Sequence, residues 1–146
     1  MALGQLYEDL VRRDSVGIFE FAPDELLGTV ESVDTATVIV KIENEDKLRG
    51  LQVNHLISIQ SSKIRQHLIG LVSKIIRKSV YSEPINDLSL DTSFNIVKVI
   101  LIGTHFDRNA GKENVFRRSL STIPTINAEC YLIHGDRLKR FMQTVS

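Results

Sequence analysis

Hydrophobic and polar positions alternate with a period of two along much of the chain. In "TVIVKIE", Val38, Val40 and Ile42 share one face while Thr37, Lys41 and Glu43 share the other, with Ile39 the exception, the pattern of a half-buried strand. A first arm at 26–33, "LLGTVESV", and a turn at Asp34-Thr35-Ala36-Thr37 make this a hairpin. Further strands are predicted over 55–60, 67–79 and 94–106, with a short one after 114 and a last one around Glu129–Ile133. "IFEFA", residues 18–22, reads as another short strand ahead of Pro23. In "HLIGLVSKIIRKS", Leu68, Gly70 and Val72 face one way and Ile69 and Leu71 the other, so the first half is expected to be covered on both sides. Gly70 within it marks a bend, a bulge or a close backbone approach. The polar stretches "ENEDKLRG", "YSEPINDLSLDTS" (81–93) and "DRNAGKEN" read as loops.

Two segments carry helical spacing instead. Leu3, Leu6, Tyr7, Leu10 and Val11 line one side of a predicted helix at 3–13, opposite Glu8, Asp9, Arg12 and Arg13. A helix this short is marginal alone, so it either covers one end of the barrel or docks on a partner protein. From 135 on, Leu138, Phe141 and Met142 start a second helix that stops without a capping glycine. The expected fold is mostly β, a small closed or partly open barrel of about six strands with short N- and C-terminal helices. It divides into an amphipathic helix at 1–17, a barrel at 18–134, and the start of a linker or helix at 135–146.

Composition adds bounds rather than a function. The 146 residues suffice for one domain, and 42% apolar with 25% charged residues is ordinary for a folded chain. Eighteen basic residues offset eighteen acidic ones, which argues against a dedicated nucleic-acid-binding domain. The lone Cys130 cannot form an internal disulfide, in keeping with a reducing, cytoplasmic setting. No secretory leader or membrane span is expected in the sequence.

Catalytic patterns do not assemble. Gly103 with Gly111-Lys112 mimics a phosphate loop, but the spacing is too long and Glu113 stands where Ser or Thr must hold magnesium. His55, His67, His105 and His134 show no zinc spacing and are expected to be solvated strand-end residues. Cys130 and His134 lie too close in sequence for a usual nucleophile–base pair, and Cys130 reads as a small packed residue. Asp24-Glu25 and Glu43-Asp46 read as solvated loop charge. No catalytic residue, bound cofactor or metal ligand is therefore expected. Two basic clusters remain, Lys74, Arg77 and Lys78, and Arg117 and Arg118 with Arg137, Lys139 and Arg140. Arg77, Lys78, Arg117 and Arg118 are the candidate nucleic-acid contacts if the clusters converge, although interleaved aromatics are scarce.

The order of features, "LLGTVESVD", "TVIVKIEN", "LISIQ", "LIGLVSKIIRKS", "IVKVILIGTHF" and "IPTINAECYLI" before a closing helix, resembles the N-terminal HAS-barrel of HerA-type hexameric ATPases. It is also similar to the N-terminal barrel of ATP synthase catalytic subunits. The resemblance covers most of 26–142 and rests chiefly on Gly28-Thr29-Val30 with its hairpin, Ile69-Gly70-Leu71-Val72, and Ile123-Pro124. It departs at Val53-Asn54-His55, where the family commonly carries a Gly-Asp-like turn, and the helix at 3–13 and the segment 81–93 are additional. The resemblance implies a barrel fragment of a larger DNA translocase of helicase type, whose motor domain beyond 146 would bind ATP and magnesium. It implies a hexamer in the full-length protein, DNA passing through the ring, and an effector such as a nuclease or a sirtuin-like enzyme, in antiphage defence or DNA repair. No membrane partner is expected. Candidate interface residues are Thr29, Glu31, Thr37, Lys41 and Glu43 on the hairpin and Leu6 and Leu10 on the first helix, with the strand edges at 26–33 and 68–76 expected to meet neighbouring subunits. The alternative is a self-standing small barrel that binds nucleic acid.

Overall fold

The computed structural model describes residues 18–85, 88–107 and 114–145, with side chains described outside 78–94. Seven strands follow one another as β1 (Leu26–Asp34), β2 (Thr37–Lys41), β3 (Leu56–Gln60), β4 (Gln66–Ile85), β5 (Leu88–Phe106), β6 (Val115–Arg117) and β7 (Glu129–Ile133). Two helices, α1 (Glu45–Arg49) and α2 (Gly135–Val145), complete the described elements with a 3-10 turn at Pro23–Glu25. All described pairings are antiparallel, and the circuit β1-β2-β5-β4-β3-β7 returns to β1, so six strands close a barrel while β6 adds outside β5.

Closure follows from the alternation. Val30, Val38, Val40, Ile57, Ile59, Leu68, Val72, Val97 and Val99 point inward and are almost completely buried in one core. Fully burying such side chains contributes about 1.5–3 kcal/mol each, which makes the filled interior the main stabilising element. Residues of the opposite phase on β3, β4, β5 and β7 build a second cluster outside the barrel. There Ile69 and Ile133 meet Ile18, Phe19 and the α2 residue Phe141. The two-sided burial expected of the first half of β4 is present, with Leu68 in the inner cluster and Ile69 in the outer one.

Glycine is required where strands come closest. A Cβ at Gly28 would collide with the Lys41 carbonyl oxygen, and one at Gly70 with Val99 Cγ1. Gly70 also sits at a register shift between β4 and β5, the bulge that its place in an apolar strand suggests.

Four sequence expectations are corrected. "IFEFA" forms no strand, because β1 and β7 pair with each other and leave no edge there for it to join. "ENEDKLRG" contains a helical turn rather than a loop alone. The Asn44 side chain caps it by accepting from the Asp46 and Lys47 backbone N–H groups, and Leu48 is buried as its anchor. Most of 81–93 is paired strand, with Ser79↔Ser93 through Ser82↔Leu90 in register and a shift before Ile85↔Leu88. Backbone pairing in a ribbon needs no hydrophobic alternation, and Pro84 falls within the irregular step, where a missing N–H is tolerated. The edges expected at 26–33 and 68–76 are closed in part, since β1 lies between β2 and β7 up to Val30 and β4 lies between β3 and β5 up to Leu71, while 32–33 and 74–76 have, among the described residues, a strand partner on one side only. The helix expected at 3–13, with Leu6 and Leu10, lies outside the described residues.

Candidate functional site

Three features stand out on this barrel: an arm, a polar strip and an outer groove beside a histidine cluster. Beyond Arg77 and Asn95, residues 78–85 and 88–94 pair, among the described residues, only with each other. Eight residues at about 3.3 Å each give an arm of about 25 Å beyond the barrel wall. Both outer edges of such a ribbon carry main-chain donors and acceptors available to another chain.

The hairpin candidates assemble on the barrel exterior. Thr29 sits opposite Lys41 on β2 and opposite Glu129 on β7, forming a polar row across three strands. Glu31 is exposed at a register shift one step on, and Glu43 lies 3.9 Å from the Lys41 ammonium across an exposed pair. Thr37 stands apart from this row, at the turn. An exposed ion pair of this kind adds little stability.

The basic clusters are not brought together. Arg77 pairs with Asn95 across the ladder and Arg117 with Thr104, placing them nine residues, or about 30 Å, apart along β5. Arg77 is bound to Glu45, whose other oxygen accepts from Asn95 Nδ2 at 3.0 Å. Arg117 lies over the Phe106 ring and Arg118 is exposed beside α2, while the Lys78 side chain is outside the described set. Arg137 belongs to an internal clasp. It donates to Glu25 at 2.7 Å and to the Glu20 carbonyl at 2.7 Å and lies over Phe21, which stacks on Tyr131 with ring centroids 4.4 Å apart. The Ala22 backbone N–H and Arg137 hold the Glu25 carboxyl below its ordinary range, so Glu25 is a structural partner and not simply solvated loop charge.

Two histidines depart from the solvated role expected of them. His67 and His105 are cross-strand partners on β4 and β5, and Asp107 bridges them, accepting from His67 Nε2 at 2.8 Å and His105 Nε2 at 3.1 Å. His105 has no exposure, and the Phe19 ring lies edge-on to it at 4.6 Å. Burial alone would raise the Asp107 carboxyl. The hydrogen bonds from His105 and His67 outweigh that and hold it well below the usual carboxylate range. A residue two positions past a histidine, on the far side of a ladder from another, was a signal available only once the register of β4 and β5 was known. His134 is exposed as expected. Cys130 is fully buried, and burial followed by the Glu129 charge pushes its thiol up to about 12, the state of a packed residue rather than a nucleophile.

The groove runs along the outer face. Its floor is Leu56, Leu71 and Ile102 and its walls are Phe116 and the α2 residues Phe141, Met142 and Val145, enclosing about 680 Å³. Leu138, Phe141, Met142 and Val145 form one apolar stripe at helical spacing. Only part of that stripe is covered, for Met142 is 52% and Val145 41% exposed.

Gly103, half of the phosphate-loop lookalike, is inside β5 with its Cα against the Arg117 carbonyl and the Phe116 ring, a close strand contact rather than a phosphate cradle. Residues 111–113 lie outside the described set. Among the described residues, no group of three or more His, Cys, Asp and Glu side chains is arranged to hold a metal ion, and no helix is long and apolar enough to cross a membrane. No protein-family model matches the chain, and no curated protein matches it.

Proposed function

We propose that the chain is a non-catalytic assembly and docking barrel, the N-terminal barrel of a HerA-type ATP-dependent DNA translocase. The projecting β4–β5 arm is the observation that favours an assembly role, while the HerA-type assignment rests on the order of strands and glycines, to which the arm is an addition. A closed barrel hides its strand edges, yet this one extends two of its strands about 25 Å past the wall, where no other described strand pairs with them and another chain can use the edges. Ring subunits meet through heterologous faces, and an arm on one face reaching the next subunit suits that geometry. The polar row of Glu129, Thr29 and Lys41, with Glu31 and Glu43 nearby, offers the exterior on which a nuclease or sirtuin-like effector docks. ATP and magnesium belong to the motor expected after residue 146, in a cytoplasmic complex acting in antiphage defence or DNA repair.

The test is the mass of the full-length protein in solution by light scattering, beside a variant in which Ser79 is joined to Ser93 through an Asn-Gly turn. The native protein is expected at hexameric mass and the arm-less variant at a lower mass, with unchanged circular dichroism of the barrel. A strictly monomeric full-length protein would sink the assembly reading.

A further inference from the structure

We infer that the groove beside α2 is covered by the amphipathic segment at 3–13 of the same chain. The first described residues, Ile18 and Phe19, are buried in the outer cluster, and this cluster shares Leu56, Ile102, Phe116 and Phe141 with the groove. The Phe19 ring lies 5.7 Å from that of Phe141, so the chain enters the described structure at the mouth of the groove. The Arg137 clasp on Glu20 and Glu25 fixes this entry against the helix that forms the groove wall. Only residues 14–17 separate the segment from Ile18. The five residue steps from position 13 to Ile18 span at most about 18 Å, which confines the segment's end to this side of the barrel. A tether of that length holds a ligand at millimolar effective concentration, enough for a weak apolar contact to stay closed.

The chemistry is complementary. By their spacing, Leu3, Leu6, Tyr7, Leu10 and Val11 would share one stripe if the segment were helical, and the groove presents the uncovered half of the α2 stripe, Met142 and Val145. A helix laid along α2 would form an antiparallel or parallel pair over the sheet, completing a layer that α2 alone leaves partly open. The inference concerns the groove and stands independently of the arm. It also assigns Leu6 and Leu10 to an internal contact instead of a subunit interface.

The test uses the 146-residue chain carrying Leu10→Cys and Met142→Cys, treated with a short bismaleimide. Native Cys130 is fully buried and stays out of the reaction while the chain is folded. The expected product is an intrachain link, in a yield that does not change with protein concentration. A control pair, Leu10→Cys with Glu31→Cys, places the second thiol on β1, across the barrel from β4, and is expected to link at least tenfold less. Leu6→Asp with Leu10→Asp is expected to raise binding of an apolar fluorescent dye several-fold, with barrel circular dichroism unchanged. Interchain dimers that grow with concentration would assign the groove to a second copy and overturn the inference. Equal yields from the two thiol pairs, or dye binding unchanged by the aspartates, would overturn it as well.

Discussion

Replacing Asp107 with alanine tests the bridge that ties β4 to β5 at the barrel mouth. The carboxylate is 10% exposed and accepts from both His67 and His105. Two hydrogen bonds to a charged acceptor contribute about 1.5 kcal/mol each, or about 3 kcal/mol together at neutral pH. For a chain of this size that is a fall in Tm of about 9 °C. The loss is larger where it leaves His105, whose Nδ1 already lacks a partner, with no bond from either ring nitrogen inside the cluster. The effect carries a pH signature. Asp107 has a folded value far below its ordinary 3.8, so its stabilisation is fully present above about pH 4 and is lost as the pH falls through the folded value. Urea unfolding followed by far-ultraviolet circular dichroism at pH 7, 5 and 3 measures the difference between native and variant. The gap attributable to Asp107 ionisation is expected to begin closing only below about pH 4. A variant within 0.5 kcal/mol of the native chain at pH 7, on the scale set by a surface substitution of about that size, would refute the bridge as a stabilising element.

Two further outcomes follow from packing and exposure. Gly28→Ala places a Cβ against the Lys41 backbone oxygen, which cannot yield, and is expected to cost about 2–3 kcal/mol in urea unfolding. Gly50→Ala meets nothing closer than 3.8 Å in a right-handed backbone conformation, so it should be neutral or stabilise by about 0.5 kcal/mol. A similar loss at both positions would contradict the close approach at Gly28. Cys130, with its thiol at about 12, should alkylate at pH 8 roughly a thousandfold more slowly in the folded chain than in urea, measured by mass spectrometry. Labelling at the free-thiol rate in native conditions would contradict its packed position.

The barrel was legible in the sequence wherever one strand face is buried and the other wet. Val38, Val40 and Ile42 announced an inner face, Ile69 beside Leu68 announced cover on both sides, and the last strand at Glu129–Ile133 lies where predicted. Period-two alternation carries that information because a slip of one residue would turn the core side chains outward. Where burial does not decide the conformation, the sequence misleads. The arm pairs through its backbone and looked like a loop, while Ile18 and Phe19 are apolar enough for a strand and instead fill the outer cluster.

What the sequence determined by itself is most of the barrel strands, the inward and outward faces of the best of them, and the irregularity at Gly70. Closure of the sheet was decided by tertiary structure, since which strands are neighbours depends on contacts far apart in sequence, such as β1 with β7 and β2 with β5. The same closure covered the edges at 26–30 and 68–71, joined His67, His105 and Asp107, and separated Arg77 from Arg117. Alternation specifies which way a side chain points. Only register specifies what it meets.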